Sequence, residues 1–204
     1  MLAEIDADII GLQEVDSRPS RSAAAQAPEL ARRLGMQMVE GPLLVEGDGH
    51  YGNAVLSRWP LAIRRRERLP HWIGEPRGFL HAVATSPGGI GWQVIVTHLS
   101  LGPVTRRRQF AAIARDLDSA ASEPTVLLAD LNEWNGWAVG LGQLRRASIV
   151  LDGPPTYPAG RPLLRLDRIA LRACAVQAGP HAHISALARI ASDHLPLWAE
   201  IRPA

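Results

Sequence analysis

Short runs of apolar and β-branched residues recur along the chain, separated by turns rich in glycine and proline. Runs of this length between such turns are typical of buried strands. The sequence predicts strands over residues 8–15, 51–57, 79–84, 92–99, 125–131, 163–171 and 195–201. Loops are predicted at 47–49, 86–89, 153–155 and 179–180. Strands therefore account for most of the predicted structure.

Two stretches repeat their apolar residues with helical spacing and predict helices over residues 22–34 and 104–117. In the second stretch, Phe110, Ile113 and Leu117 would lie on one face. Several connections between strands are too short for a crossover helix, which favours mixed or antiparallel sheets with helices packed outside. Because no linker or internal repeat divides the chain, we expect one domain over residues 1–204.

The composition is that of a chain that can bury a core, since 47% of its 204 residues are hydrophobic. No run approaches the roughly 18–20 apolar residues of a membrane span. The start is acidic and unlike a signal peptide, so we expect a cytoplasmic protein. All 22 basic residues are arginines, which excludes a lysine Schiff base or a P-loop lysine. The single cysteine, Cys174, excludes an internal disulfide and is expected to be a buried apolar residue.

Polar residues follow the apolar runs at six places, where side chains from different strands can converge on one cleft. They are Gln13-Glu14, Asn53, Thr97-His98, Asp130-Leu131-Asn132, Asp167-Arg168 and Asp193-His194. Each alone has a structural interpretation as a turn residue, a cap or a solvated charge. Together the oxygen donors suit Mg²⁺ or Mn²⁺, and the histidines and arginine suit phosphate oxygens. Such a set is what metal-assisted attack of water on a phosphate ester requires.

The same segments, in the same order, resemble the motifs of the endonuclease/exonuclease/phosphatase superfamily, the DNase I-like fold. The matching segments are Leu12-Gln13-Glu14-Val15, residues 52–58, Thr97-His98-Leu99, Ala129-Asp130-Leu131-Asn132, Leu166-Asp167-Arg168-Ile169 and residues 192–197. The resemblance implies an α/β fold, a four-layer α/β sandwich with two packed mixed β-sheets flanked by helices. It places the active site at one rim of the sheets.

The resemblance also implies catalytic roles for five side chains. Asp130 matches the carboxylate that aligns and deprotonates the attacking water, and Asn132 matches its neighbour that holds this water or a phosphate oxygen. His194 matches the histidine that stabilises the transition state, and Asp167 matches the aspartate that orients it. His98 resembles the histidine that contacts the phosphate from the other side.

Further residues are expected to bind the metal ion and the substrate. By the same resemblance Glu14 and Asp193 match metal-facing carboxylates, with Mg²⁺ as the implied cofactor and Mn²⁺ as the alternative. Asn53 is expected to support His98. Arg58 and Arg77 are candidate phosphate contacts, although each could equally be a surface residue at a strand end.

The chain departs from the family pattern at its start. The family fold normally opens with a strand ending in an asparagine and a long helix, whereas only thirteen residues precede Glu14 here. We therefore expect the first strand and most of the first helix to be missing, leaving backbone groups and apolar surface uncovered. Either the true start lies upstream, which we favour, or the variant works without that strand. A version extended upstream is expected to be more stable.

The expected function is an Mg²⁺-dependent phosphodiesterase, phosphatase or nuclease that uses direct water attack. Arginine runs at 64–68 and 106–108 would suit nucleic acid, but we prefer to interpret them as solvated faces in an arginine-biased chain. Nucleic acid is thus not favoured over small-molecule or lipid head-group esters. Trp134 and Trp137 follow Asn132 and predict a loop that lines the substrate. The alternative function is a catalytically weak or inactive relative that acts as a binding scaffold.

Overall fold

The computed structural model describes residues 1–21, 24–72, 74–119 and 122–204. The strands are β1 (Ile9–Asp16), β2 (Gln37–Glu46), β3 (Gly49–Ser57), β4 (Leu61–Arg68), β5 (Gly78–Thr85), β6 (Gly91–His98), β7 (Thr125–Asp130), β8 (Ile149–Val150), β9 (Asp167–Arg172), β10 (Cys174–Ala182) and β11 (Leu197–Pro203). The helices are α1 (Leu2–Ile5), α2 (Gln26–Leu34), α3 (Pro103–Ser119), α4 (Val139–Ala147) and α5 (Ala188–Ala191).

The strands form three sheets. One has the order β1-β3-β2, another has the order β4-β5-β6-β7-β9-β8, and β10 pairs with β11. Neighbouring strands are antiparallel except β6 and β7, which are parallel and joined through α3. The sheets are therefore mixed and antiparallel, as the short connections predict.

Three apolar clusters hold these layers together. Side chains of α2 pack on the outer face of the β1-β3-β2 sheet, and α3 and α4 pack on the outer face of the six-stranded sheet. Between the sheets, β3 and β11 pack against β5, β6, β7 and β9. Helices thus cover both sides of two packed layers of strands, which is the four-layer α/β sandwich expected from the sequence.

Local sequence explains the better-defined elements. β6 and β7 are almost continuously apolar because they are covered on both faces. In α3, the buried residues Phe110, Ile113 and Leu117 share one face, as predicted. Helix α2 ends at Gly35, whose φ of 65° is the left-handed conformation that glycine adopts without strain.

The structure also departs from the sequence prediction at several elements. β9 starts at Asp167, later than the predicted residue 163, and Gly179-Pro180 lies inside β10 and not in a loop. The pattern did not predict β2, β4, β10 or α4. The first two residues of the predicted helix 22–34, Ser22 and Ala23, lie outside the described residues.

A groove of about 600 Å³ runs between β1 and β11. Residues 8–13 form one wall and residues 195–201 the other, and the floor includes Trp92, Val126 and Leu128. In the described chain β1 pairs only with β3, and β11 pairs only with β10. Two strand edges with unpaired backbone groups therefore face the groove, whose lining also includes Asp167 and His194.

Candidate active site

Three adjacent strands place polar residues in one row at the same edge of the six-stranded sheet. His98 ends β6, Asp130 ends β7, and the two residues are register partners. Asp167 starts the antiparallel strand β9 and pairs with Asp130. Neighbouring strands are about 4.8 Å apart, so the topology alone brings these side chains within reach of one another.

Glu14 reaches this row from the opposing sheet because β1 is irregular there. The register of β1 against β3 shifts between Leu12 and Val15, and Glu14 has a φ of 58°. Its Oε1 lies 3.3 Å from His98 Nδ1. The contact with His98, and then the hydroxyl of Tyr51, hold the pKa of the Glu14 carboxyl at about 2. Glu14 is therefore ionised, and its side chain is 53% exposed.

His98 is held in a single tautomer by its neighbours. The amide nitrogen of Asn132 donates both to His98 Nε2 and to the Leu99 carbonyl, each over 2.8 Å. The carbonyl acceptor fixes the orientation of this amide, so His98 Nε2 must accept. The ring proton then lies on Nδ1, directed at Glu14. His98 thus lies between the carboxylate of Glu14 on one sheet and the amide of Asn132 on the other.

Asp130 is buried at the centre of the site. Its Oδ1 accepts the backbone N–H of Asn132 over 2.8 Å, and its Oδ2 lies 3.5 Å from His98 Nε2 and 3.8 Å from His194 Nε2. Burial raises the pKa of the Asp130 carboxyl, and the nearby Asp167 raises it further. A carboxylate with a raised pKa is a stronger base than an exposed one.

His194 and Asp167 form a hydrogen-bonded pair. His194 Nδ1 donates to Asp167 Oδ2 over 2.8 Å, and the hydroxyl of Thr156 donates to the same oxygen. Burial alone would lower the pKa of His194, but the hydrogen bond to Asp167 and the charges of Asp167 and Asp130 raise it to about 9. His194 is thus protonated at neutral pH, with Nε2–H directed toward Asp130.

The donor atoms of Asp130, Asp167 and His194 lie within 4.8 Å of one another, a spacing that a metal ion could use. A protonated histidine cannot ligate, however, and Asp167 already accepts two hydrogen bonds on one oxygen. Glu14 is the better metal ligand, because it is ionised and half exposed. Mg²⁺ is commonly held through one or two carboxylates, with water and substrate phosphate filling its other positions.

Two of the other expected site residues take different positions. Arg77 is buried, lies beside Glu14 and lowers the pKa of its carboxyl. Asn53 is buried on β3, where its amide donates to the Gly78 carbonyl over 3.1 Å. Its support of His98 stays a prediction.

Arg58 lies away from the site, whereas Asp193 lies next to His194 at its exposed side. Arg58 follows the far end of β3, where it pairs with Asp6 and Asp8, because Ser57 pairs with Ile9 at the opposite end of β1 from Glu14. The expected phosphate contact of Arg58 is therefore corrected. Asp193 is exposed and its charge acts on the adjacent His194, and its role as a metal ligand stays a prediction.

Sequence reasoning missed the side chains that support the site. Arg106 was interpreted as solvated, yet it is buried and donates through Nε and NH2 to Glu133 Oε2, over 3.1 and 2.9 Å. Its NH1 also donates to the Leu101 carbonyl over 2.6 Å. Arg106 therefore ties the loop after His98 to the loop after Asn132. The nearest signal was Glu133 itself, an acid directly after the Asp-Leu-Asn motif.

The sequence model of the Endonuclease/Exonuclease/phosphatase family matches residues 1–194. The chain belongs to this family. The curated relative "Uncharacterized protein YbhP" of Escherichia coli (strain K12) is 32% identical over 219 residues, which is 97% of this chain and 84% of YbhP. Members of the endonuclease/exonuclease/phosphatase family act on phosphate esters and generally use divalent metal ions.

Solved structures of the family show the same fold. An endonuclease/exonuclease/phosphatase from Beutenbergia cavernae has a TM-score of 0.71 at 25% identity, and the match covers 99% of this chain but 64% of that protein. The catalytic domain of human Nocturnin, solved with a bound sulfate anion, has a TM-score of 0.76 at 18% identity over 100% of this chain and 83% of that domain. Among the described helices, none has the length and apolarity to cross a membrane.

Proposed function

We propose that the chain is a divalent-metal-dependent hydrolase of phosphate esters in which water attacks phosphorus directly. The observation that carries this proposal is the pairing of a buried carboxylate, Asp130, with a protonated histidine, His194, across 3.8 Å. Their environments suit the two groups to different roles, Asp130 as the base and His194 as the hydrogen-bond donor. A phosphate bound between this pair on one side and Glu14 on the other would contact the base, the hydrogen-bond donor and the metal-binding carboxylate.

Asp130 acts as the general base in this proposal. Its Oδ2 faces the space between His98 and His194, while its Oδ1 is fixed by the backbone of Asn132. The free oxygen can accept a proton from water as that water attacks phosphorus. The raised pKa of Asp130 brings its proton affinity closer to neutral pH, where such transfer is most effective.

His194 stabilises the charge that grows on the phosphate. Its Nε2–H is already directed into the site because Asp167 holds Nδ1, so little reorganisation is needed when the transition state forms. Arg77 adds a fixed positive charge beside Glu14. His98, through its Nδ1, keeps the carboxylate of Glu14 directed into the cleft.

Glu14 would hold the metal ion, and Asp193 stays a candidate second ligand. When bound, Mg²⁺ or Mn²⁺ would neutralise negative charge on the phosphate oxygens and orient the ester. Magnesium as the physiological ion and a cytoplasmic location both remain predictions.

The test is hydrolysis of a panel of phosphate esters with Mg²⁺, Mn²⁺ or EDTA. The panel contains bis-p-nitrophenyl phosphate, nicked DNA, RNA and phospholipid head-group esters. We expect turnover with a metal ion and none with EDTA. Asp130→Asn and His194→Asn should each lower kcat by about 10²–10⁴-fold.

The matched control is His181→Asn, because His181 is an exposed histidine on β10. It should keep the activity of the unmodified chain. If Asp130→Asn or His194→Asn keeps full activity, the assignment of base and donor is overturned. Absence of turnover on every ester would instead favour a binding scaffold.

A further inference from the structure

Exposed apolar side chains gather on the loops that frame the candidate active site. We name this surface the tryptophan patch, and it consists of Trp72, Leu101, Val104, Arg108, Trp134 and Trp137. Trp137 is 95% exposed and Leu101 is 74% exposed. Water-facing apolar groups of this size, concentrated in one region, usually mark an interaction surface.

Contacts between the loops make the patch continuous. The guanidinium of Arg108 lies 4.3 Å from the ring centroid of Trp72. Val104 and Arg108 lie four residues apart at the start of α3 and therefore on one side of it, and Leu101 lies in the loop just before the helix. Arg106 then connects the Leu101 carbonyl to Glu133, the residue before Trp134.

Two of the loops that carry the patch begin next to residues of the candidate site. Leu101 is three residues from His98, and Trp134 is two residues from Asn132, so each is within about 10 Å of a site residue along the chain. Both loops extend from the strand ends that carry the site.

The start of α3 carries positive charge beside the patch. Residues 99–115 contain four arginines and no acidic residue, and of these four Arg106 is paired with Glu133. Arg107 and Arg108 are exposed, and in the part of the chain that the structure describes neither faces a carboxylate partner. The patch is therefore complementary to an anionic surface.

The shape and composition of the patch favour a lipid surface over the alternatives. A small ligand needs walls around it, but Trp137 protrudes and has none. Stacked bases would use the tryptophans and leave Leu101 and Val104 without a role, since aliphatic side chains do not stack. Tryptophans with aliphatic and basic neighbours are the side chains that enter the interface of an anionic membrane.

We propose that the tryptophan patch docks on an anionic lipid bilayer and that the ester cleaved is a phosphate of a lipid head group. The substrate class rests on the proposed function, whereas the docking does not. The patch would sit in the head-group region, and this would bring a lipid phosphate to the level of Asp130 and His194.

The test is co-sedimentation with vesicles in EDTA, so that binding is measured without hydrolysis. Vesicles of phosphatidylcholine with phosphatidylglycerol are compared with vesicles of phosphatidylcholine alone. We expect the protein to bind the anionic vesicles about tenfold more tightly, and to lose this preference at high salt. The double variant Trp134→Ser, Trp137→Ser should lose about tenfold or more of the binding.

The matched control is Ile149→Ser. Ile149 is also exposed, but it pairs with Leu171 near the other end of β9. Equal losses in the control and in the double variant would overturn the proposal, as would a lack of binding to anionic vesicles. Binding of a single-stranded oligonucleotide with the same dependence on Trp134 and Trp137 would assign the patch to nucleic acid. Failure of the hydrolysis panel with vesicle binding intact would overturn the proposed function alone.

Discussion

Glu14 and Asn132 hold the site from left-handed backbone conformations, with φ values of 58° and 50°. Such conformations cost an L-amino acid about 1–2 kcal/mol. Strain of this kind is often found where function fixes a side chain. At Glu14 it accompanies the irregular pairing of β1 with β3, which turns the carboxylate toward His98.

The backbone strain at position 14 predicts that glycine is a more stable replacement there than alanine, which is the reverse of the usual order. Glu14→Gly and Glu14→Ala both remove the carboxylate, but only glycine relieves the left-handed backbone. We expect Glu14→Gly to be more stable than Glu14→Ala by about 1 kcal/mol, measured by urea unfolding. Gln13 does not have a positive φ, so at this position alanine should be the more stable replacement. Glycine less stable than alanine at position 14 would contradict the strain.

The Asp167–His194 pair predicts a pH dependence of the rate. The pKa of His194 is raised to about 9 from its ordinary 6.5. The proton, and the stabilisation that it brings to the folded state, are fully present below about pH 6.5 and are lost as the pH rises through about 9. We expect kcat/KM to fall over the same range.

Asp167→Asn should move this fall in kcat/KM toward pH 6.5, because the hydrogen bond and the charge that hold the proton on His194 are weakened. The exposed neighbour Asp193 provides the matched control, and Asp193→Asn should shift the profile much less. A profile that Asp167→Asn leaves in place would show that another group titrates.

The sequence located the acids and histidines of the site but could not give their partners. His98, Asp130 and Asp167 each end or begin a strand, Glu14 lies near the end of β1, and His194 precedes β11, so the ends of several strands bring them together. Burial and register were not visible in the sequence. For this reason the partners Tyr51 and Thr156 were missed, and Arg58 was placed at the wrong end of β3.

At the scale of elements, the packing of α4 on α3 sets the position of the loop that follows Asn132. Gly140 is buried, and a Cβ added there would lie 2.2 Å from a ring carbon of Phe110 on α3. The two helices can approach this closely only because position 140 has no side chain.

Two glycines of α4 should therefore respond oppositely to alanine. Gly140→Ala should lower the free energy of unfolding by about 1–3 kcal/mol because of the clash with Phe110. Gly142→Ala should raise it by about 0.5–1 kcal/mol, because alanine is the better helix former and no atom lies within 4 Å of its Cβ. Chemical denaturation measures both changes. Equal effects at the two positions would show that Gly140 does not determine the packing of these helices.

The elements that the sequence predicted best are those covered on both faces. β6 and β7 depart by at most one residue from the predicted bounds at either end, since their apolar runs are unbroken. β4 was missed because it is an exposed edge strand, and its arginine run was interpreted only as charge. β10 was missed because Gly179 and Pro180 interrupt it and suggested a turn.

At the scale of the whole molecule, the two halves of the site come from different sheets. Glu14 lies on the β1-β3-β2 sheet, whereas His98, Asp130 and Asp167 lie on the six-stranded sheet. The contact between Glu14 and His98 therefore depends on how the two sheets pack. The interlayer core around Val55, Leu80 and Val96 fixes this geometry. Substitutions that loosen this core would therefore change the contact between Glu14 and His98, although they alter no site residue.

The groove between β1 and β11 has room for one more strand. Its two walls offer backbone donors and acceptors that any extended polypeptide of matching length can satisfy. An inserted strand would join the three-stranded and two-stranded sheets into one continuous layer and would end beside His194. A segment bound there would hold β11 against β1, and with β11 the preceding His194 near the carboxylate of Glu14.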